Sequence, residues 1–253
     1  MKQFKFKFTV GSSAIFVLSR IRKARRYIAE TDKYTDEDRF NFACEIIDHM
    51  RKRSLTTTLV YGKENLPADG GYILYSNHQG KYDALGILLN HPGPCRVLWE
   101  RRAATKFLAK ECCGLLGGQT IDFEDIKDSI KVLRIITEQV KEGKRFLIFP
   151  EGRYDGNKNE MLDFKTGCFY CSLNSKAPMI PVAIYDSYKA MDTNNIFKKV
   201  TTEVHFLKPI YFEEYGEMTK SEIADLIKSR IGEKLAERKA EKEKARLEKG
   251  KNK

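Results

Sequence analysis

The chain contains 253 residues, of which 42% are hydrophobic, and this is enough for one sizeable α/β core without a second domain. Its 46 Lys and Arg residues outnumber its 35 Asp and Glu residues, so the formal net charge is +11. This charge favours anionic partners such as phospholipid headgroups, phosphorylated substrates, coenzyme A or nucleic acid, and charge alone does not choose among them.

Two further features limit the setting of the protein. The longest apolar run near the N-terminus covers residues 14–18, whereas a helix that crosses a bilayer needs roughly 20 apolar residues. We therefore expect no membrane-spanning helix. The six cysteines are scattered through apolar segments and no cleavable signal peptide is evident, so reduced thiols in a cytosolic compartment are expected.

The N-terminal segment mixes basic and apolar residues. Residues 2–8 alternate Lys with Phe, and residues 15–28 combine aliphatic and aromatic side chains with Arg and Lys. This composition is typical of a helix in a membrane interface, with cations at the headgroups. A second helix is predicted from Thr35 to the basic residues 51–53. Residues 1–55 are thus predicted to form an amphipathic two-helix hairpin at a membrane; the alternative is a hairpin that packs on the core and exposes solvated charge.

From residue 56 onward, short β-rich runs alternate with helical runs, which is typical of an α/β sheet. Apolar residues at intervals of three and four predict a helix over residues 125–141, with Gly143 as its stop. The predicted fold of residues 56–218 is a mixed sheet flanked by helices. Strands are predicted at residues 57–61, 72–76, 96–99, 120–123, 146–149, 180–185 and 202–207.

The C-terminal segment, residues 219–253, is predicted to be a charged helix and tail. Its later half, from residue 233 onward, consists mainly of Glu and Lys with few apolar residues. Such a segment buries little apolar surface. We therefore expect this half to be frayed or disordered.

His78 and Asp83 form the first candidate site. A buried strand is predicted at residues 72–76, so Asn77 and His78 follow its C-terminal end, the edge at which open α/β sheets bind ligands. A neutral imidazole can remove the proton of a hydroxyl as the hydroxyl attacks a thioester carbonyl, and a carboxylate can hold that imidazole in the required tautomer. A His and an Asp at this spacing also occur by chance, so the pair alone does not define a catalytic site.

A second candidate site follows another buried strand. Residues 146–149 lead into Pro150, Glu151 and Gly152, so this turn lies at the same kind of sheet edge. Glycine allows the backbone to approach a ligand closely, and the next residue, Arg153, is a candidate phosphate ligand. The alternative is an ordinary Pro-Gly turn with solvated charges at the end of a core strand.

Together, these two segments resemble the glycerolipid acyltransferases, the family that includes the 1-acylglycerol-3-phosphate acyltransferases. The resemblance rests on a His-x-x-x-x-Asp block at residues 78–83 and a Phe-Pro-Glu-Gly block at residues 149–152. A further block at residues 177–184 resembles the Pro-x-x-Pro-Val segment of the family. The chain departs from the family pattern where Arg153 directly follows Gly152 without an intervening threonine.

A weaker block, residues 117–123, ends in Phe123 where relatives carry an arginine. The phosphate contact that this arginine would supply is therefore missing from its usual place. Basic residues of the preceding segment are candidates to supply the charge instead: Arg101, Arg102, Lys106 and Lys110.

The resemblance implies a glycerol-3-phosphate acyltransferase-like fold and transfer of a fatty acyl chain from acyl-CoA or acyl carrier protein to the hydroxyl of 1-acylglycerol 3-phosphate, forming phosphatidic acid. His78 is then the general base and Asp83 orients it. No metal, no cofactor beyond the acyl-donor co-substrate and no nucleic-acid partner are expected. The protein is expected to lie peripherally on the anionic lipid surface at the cytoplasmic face of the cell membrane. The substrate-binding residues that the resemblance implies are Asn77, Glu151, Gly152 and Arg153.

Two alternatives remain open from the sequence. The same base serves another acceptor, such as glycerol 3-phosphate, another lysophospholipid, or an acylated amine or sugar. The net charge and basic termini are also compatible with a non-catalytic protein that binds lipid or nucleic acid. Replacement of His78 separates these classes, because a non-catalytic protein does not depend on a general base.

Overall fold

The computed structural model describes residues 4–106, 108–191 and 193–251, with side chains described as far as residue 248. The described chain begins with three helices: α1 (Phe4–Ser12), α2 (Ala14–Ala29) and α3 (Asp36–Arg53). Its strands are β1 (Thr56–Tyr61), β2 (Ile73–Ser76), β3 (Arg96–Glu100), β4 (Gln119–Ile121), β5 (Phe146–Ile148), β6 (Met179–Tyr185) and β7 (Val200–Phe206). Its other helices are α4 (Asp83–Leu88), α5 (Arg101–Ala104), α6 (Ala109–Leu115), α7 (Ile126–Lys141), α8 (Tyr170–Ser175), α9 (Phe212–Tyr215) and α10 (Lys220–Lys251).

The strands form one mixed sheet in the order β1-β7-β6-β2-β5-β3-β4. The strands from β6 to β4 run parallel, while β7 is antiparallel to β6 and β1 is parallel to β7. Every predicted strand is present, with each end within two residues of its predicted position. The predicted mixed α/β fold is confirmed, and the carboxyl ends of the neighbouring strands β5, β2 and β6 meet at one edge.

Helices cover both faces of this sheet, so its central strands are buried along their whole length. Leu74 of β2 points to one face, where it joins a core with Ile47 of α3. Tyr75, the next residue, points to the other face and joins Ile136 of α7 and Ile227 of α10. This alternation is the period of two expected of a strand with both faces buried.

The N-terminal segment has one helix more than predicted, because α1 precedes the pair α2 and α3. A capping box between Thr35 and Asp38 begins α3, as expected from the sequence. Helix α3 buries residues such as Phe40 in the core, whereas α2 exposes Ile15 and Leu18. Among the helices that the structure describes, none combines the length and hydrophobicity needed to cross a bilayer.

The predictions for helix α7 and for the C-terminal segment have opposite outcomes. Helix α7 begins after the N-cap Asp125, and Gly143 with φ of 86° follows its end, as predicted. The expectation of a frayed tail was wrong, because α10 continues to Lys251. The physical reason lies in the middle of this helix, where Arg238 and Lys242 bind the buried carboxylate of Glu203 on β7.

Glu203 is 1% exposed and binds three cationic or polar partners. Arg238 donates to both of its oxygens at 2.7 and 3.1 Å, Lys242 to Oε1 at 3.0 Å, and His205 Nε2 lies 3.1 Å from Oε2. Burial alone would raise the pKa of Glu203, but these hydrogen bonds hold it well below its usual range. The carboxylate therefore fixes α10 against the sheet.

Replacing Arg238 with Met is expected to lower the free energy of unfolding by about 2 kcal/mol, because it removes charge-assisted hydrogen bonds to a buried carboxylate. Urea denaturation measures the change. The matched control is Arg246→Met, since Arg246 is exposed on the same helix and makes no ion pair within the described residues. The control should change stability by less than about 0.5 kcal/mol; equal effects of the two substitutions would contradict the role given to Glu203.

Candidate functional site

Three neighbouring strand ends build the candidate active site. His78 follows the end of β2, residues 150–152 follow β5, and Ser187 begins a short 3₁₀ helix after β6. Because these strands are parallel neighbours in the sheet, their carboxyl ends deliver these residues to the same place. The structure thus brings the two sequence-predicted blocks together.

His78 and Asp83 form a direct pair. The distance from His78 Nδ1 to Asp83 Oδ2 is 2.7 Å, and the Asp83 side chain is fully buried while that of His78 is 19% exposed. Oδ2 also accepts hydrogen bonds from the main-chain N–H groups of Gln79 and, at 2.8 Å, Gly80. Since Oδ2 acts as an acceptor for these groups, Nδ1 carries the ring proton and Nε2 is left with a free lone pair.

The second oxygen of Asp83 accepts a hydrogen bond of 2.6 Å from the Ser187 hydroxyl. Ser187 is itself buried, 104 residues further along the chain. Sequence analysis did not identify Ser187, because serines are common at turns and no local pattern marks this one. It supports the orientation of the carboxylate that orients His78.

The imidazole of His78 is also held by aromatic rings. Its ring stacks on Phe149, with centroids 4.3 Å apart, and meets Tyr154 edge to face at 4.7 Å. The ring lines a cavity of about 460 Å³, so a substrate bound there can reach the basic nitrogen of His78. Much of its wall is apolar, from Phe6, Ala84, Leu85, Val97, Leu98, Trp99, Ala103, Ala109, Phe123 and Phe149.

Glu151 lies beneath this loop and is 2% exposed. Its Oε1 accepts a hydrogen bond of 2.7 Å from the main-chain N–H of His78, and its Oε2 accepts one of 2.8 Å from that of Leu162. Burial raises the pKa of Glu151 to about 7, and these two bonds limit the rise. The side chain therefore fixes the backbone of His78 and joins it to the loop that follows β5.

Asn77 is fully buried, and both ends of its amide bind Ile184 of β6. Its Nδ2 donates to the Ile184 carbonyl at 3.1 Å, and its Oδ1 accepts from the Ile184 N–H at 2.8 Å. These bonds continue the pairing of β2 with β6 beyond the last strand residue. Asn77 thereby positions His78 at the end of β2.

Two further polar residues that sequence analysis missed hold the same loop. Gln79 donates to the carbonyl of Ile184 at 2.7 Å and accepts from the N–H of Ser187 at 2.9 Å. Asn157 donates to the carbonyl of His78 at 3.1 Å. Both fix the main chain beside the base. In the sequence, Gln79 could have been noticed because it lies next to His78, whereas nothing marked Asn157.

Gly152 and Arg153, in the turn after β5, line the cavity, and Lys165 lies near this turn. Gly152 has φ of 68°, and a Cβ added there would lie 3.0 Å from Cε of Lys165, so glycine both forms the turn and admits this lysine. The ammonium group of Lys165 sits 3.8 Å from the ring centroid of Phe123. The side chain of Arg153 is 75% exposed and lies 4.0 Å from Asp155. Lys165 thus stands beside Phe123, the residue that occupies the usual arginine position.

The other candidate cations differ in their surroundings. Arg101 is paired with Asp128 at 2.6 Å, and Arg102 with Glu124 at 3.1 Å. Lys106 lines the cavity with His78. Within the described residues, no group of three or more His, Cys, Asp or Glu side chains could hold a metal ion.

The chain is similar in sequence to known proteins. A family model described as Acyltransferase matches residues 57–185. The 1-acyl-sn-glycerol-3-phosphate acyltransferase alpha of Homo sapiens is 30% identical over 131 residues, which cover 51% of this chain and 46% of the relative. The 1-acyl-sn-glycerol-3-phosphate acyltransferase of Bacillus subtilis is 26% identical over 184 residues, covering 70% and 86%. The chain thus spans less than half the length of the human relative that it matches.

A solved structure shares the fold. The crystal structure of the 1-acyl-sn-glycerophosphate (LPA) acyltransferase PlsC from Thermotoga maritima aligns with a TM-score of 0.70 at 19% sequence identity. The alignment covers 94% of this chain and 95% of that one. The likeness therefore extends beyond the strands of the sheet.

Replacing Glu151 with Gln is expected to flatten the pH dependence of stability. Between about pH 4.5, its ordinary pKa, and about pH 7, the folded chain holds a proton on Glu151 that the unfolded chain has released. The free energy of unfolding of the wild type should therefore fall as the pH rises through this window. Urea denaturation at a series of pH values measures both slopes, with Asp155→Asn as the control at an exposed carboxylate of the same loop. Equal slopes for wild type and E151Q would refute the raised pKa of Glu151.

Proposed function

Because the chain belongs to the Acyltransferase family, we propose that it transfers a fatty acyl chain from a thioester donor to the free hydroxyl of 1-acylglycerol 3-phosphate, forming phosphatidic acid. The observation that carries this proposal is the pair of His78 and Asp83, whose hydrogen bond of 2.7 Å leaves His78 Nε2 free beside the cavity. The relatives named 1-acyl-sn-glycerol-3-phosphate acyltransferase support the choice of acceptor.

The chemistry begins at the acceptor hydroxyl. Nε2 of His78 takes the hydroxyl proton while the oxygen attacks the thioester carbonyl carbon, and Asp83 stabilises the imidazolium that forms. The tetrahedral intermediate then collapses by breaking its carbon–sulfur bond. The leaving sulfur recovers the proton from the imidazolium, so the products are an ester and a free thiol. The acceptor supplies its own nucleophile, and no acyl-enzyme is required.

The phosphate of the acceptor is proposed to bind at the cavity rim formed by Gly152 and Arg153. Lys165 is proposed to add a second cation, since its ammonium group lies 3.8 Å from the ring centroid of Phe123, which lines the cavity. A phosphomonoester carries nearly two negative charges, which two cations at one rim match. Glu151 and Asn77 serve this substrate site indirectly, because each bonds the backbone that carries His78 or its strand.

The acyl chain of the donor is proposed to enter the apolar part of the same cavity. Leu85 of α4 and Trp99 of β3 both line this part. Acyl-CoA and acyl carrier protein both present a fatty acyl thioester that this cavity accepts. The donor acts as a co-substrate in either case.

The protein is proposed to act as a peripheral protein at the cytoplasmic face of the cell membrane, with α1 and α2 on the anionic lipid surface. Apolar side chains of these helices are exposed, among them Ile15 at 87% and Leu18 at 58%. Arg and Lys residues accompany them along α2. Exposed apolar groups next to cations are what an anionic interface binds.

A different acceptor is a second candidate, and Phe123 favours it. An aromatic ring in the place of an arginine changes the rim that meets the acceptor headgroup. Glycerol 3-phosphate, another lysophospholipid, or an acylated amine or sugar would use the same base. A non-catalytic lipid- or nucleic-acid-binding protein is disfavoured, because it has no use for an oriented His78.

Replacing His78 with Ala is expected to reduce acyl transfer by about a hundredfold to ten-thousandfold, because it removes the general base. Ser187→Ala should cost only about fivefold, the effect of one hydrogen bond of about 1 kcal/mol to the orienting carboxylate. Thiol release from acyl-CoA in the presence of 1-acylglycerol 3-phosphate measures the rate, and mass spectrometry identifies the lipid. His49→Ala, at a ring that stacks on Phe16, is the control. Full activity in H78A would refute the mechanism, whereas an active wild type with another acceptor would redirect the substrate assignment alone.

Replacing both Ile15 and Leu18 with Ser is expected to weaken binding to anionic vesicles by roughly tenfold or more, because each side chain loses apolar area that the lipid would bury. Sedimentation with phosphatidylserine-containing vesicles measures the change. Leu59→Ser is the control, since Leu59 is 42% exposed on the edge strand β1. Unchanged sedimentation of the double variant would count against an interfacial role for α2.

A further inference from the structure

At the start of α7, apolar side chains form an exposed surface and are not buried in the hydrophobic core. It consists of Phe123, Ile126 and Ile130, which are 36%, 74% and 45% exposed, and we call it the α7 patch. The apolar periodicity that predicted α7 included Ile126 and Ile130, yet the side of the helix that packs on the sheet is made by later residues such as Leu133 and Ile136. The first turns of α7 therefore extend beyond the core with their isoleucines facing outward.

The α7 patch has a cationic border. Ile126 and Ile130 are four residues apart and so lie one above the other on the helix, and Lys127, Lys131 and Arg134 are exposed alongside them. In the part of the chain that the structure describes, none of these three cations makes an ion pair. An apolar strip with exposed cations beside it is complementary to an anionic lipid surface.

The nearby acidic residues are already neutralised or occupied. Arg101 pairs with Asp128 at 2.6 Å and approaches Asp122 at 3.9 Å. Asp125 caps the helix by accepting from the N–H of Asp128. Arg102 pairs with the remaining acid of the loop, Glu124. Around the patch, five cations (Arg101, Arg102, Lys127, Lys131 and Arg134) face four acids (Asp122, Glu124, Asp125 and Asp128), which leaves a net charge of +1.

The position of the patch connects it to the substrate cavity. Phe123 lines this cavity, and so does Phe6 of α1. Helix α1 and the loop that leads into α7 thus each contribute a side chain to the wall of the cavity. A flat surface that contacts both helices would cover the cavity between them.

We propose that the α7 patch is a second membrane-contact surface, which binds an anionic lipid bilayer together with the N-terminal helices. The cavity then opens toward the lipid, so that acyl chains pass between bilayer and cavity with little exposure to water. This inference rests on the proposed function for its purpose. Its occupant is a lipid surface, because exposed cations beside the patch match anionic headgroups and Phe123 belongs both to the apolar strip and to the wall of the cavity.

The test compares the double variant Ile126→Glu/Ile130→Glu with Leu247→Glu, a control at an apolar residue 68% exposed on α10. Binding to phosphatidylcholine vesicles with and without phosphatidylserine is measured by sedimentation. We expect the double variant to bind anionic vesicles at least tenfold more weakly and the control to bind like wild type. Lys127→Glu/Lys131→Glu should lose binding to the anionic vesicles specifically. Wild-type binding by both double variants would overturn the proposal.

A second measurement does not depend on loss of binding. The chain has one tryptophan, Trp99, so Ile126→Trp adds a reporter at the patch. Its additional emission should shift to the blue on adding anionic vesicles, and no shift would overturn the proposal. A concentration-dependent dimer that Ile126→Glu abolishes would overturn it as well, by assigning the patch to a second copy of the chain.

These measurements are independent of turnover. Acyl transfer to a water-soluble, short-chain acceptor should stay at the wild-type rate in the Ile126→Glu/Ile130→Glu variant, because neither isoleucine lines the cavity. Failure of the proposed acyl transfer appears instead as an inactive wild type, whatever the vesicle result.

Discussion

The carboxylate of Asp83 is the interaction on which the site depends. It is fully buried, and a buried charge is stable only where hydrogen-bond donors satisfy it. The donors come from the ring of His78, from two main-chain N–H groups and from the hydroxyl of Ser187. A main-chain N–H group can only donate, so Oδ2 of Asp83 acts as an acceptor. The hydrogen between Oδ2 and Nδ1 of His78 therefore belongs to the imidazole. The same arrangement that satisfies the buried charge therefore also fixes the tautomer that leaves Nε2 basic.

The parallel register of β5, β2 and β6 supplies the partners of this carboxylate. Tyr75 of β2 pairs with Ile148 and Pro181, so the residues that follow these strands arrive at one level of the sheet edge. Glu151 then reaches the N–H of His78, although 73 residues separate them. Gly152 likewise accommodates Lys165, since an added Cβ would lie only 3.0 Å from Cε of that lysine. The register of the strands thus determines the hydrogen bonds around the His78 imidazole.

The sequence predicted the strands, helix α7 and the pairing of the two motif blocks, because these depend on local periodicity and on the sheet-edge rule. It did not predict Ser187 or Asn157, since their partners are distant in the chain and their types are common in turns. The fate of the C-terminal segment was also beyond local composition. Its Glu and Lys residues bury little apolar surface, but Arg238 and Lys242 meet Glu203, a carboxylate that only the folded sheet places beside them. Tertiary contacts therefore decided the features that propensity left open.

The distribution of exposed apolar residues agrees with the acceptor proposed above. An acceptor with one acyl chain and one phosphate must place its hydroxyl at His78 while its chain stays out of water. Cations at the rim, such as Arg153 and Lys165, suit the phosphate, and the apolar wall suits the chain. An acceptor held in a bilayer already has this polarity, with its headgroup at the surface and its chain below. A cavity whose mouth lies between α1 and the α7 patch would meet that acceptor in the orientation in which the bilayer holds it, so that binding would require little reorientation of the lipid.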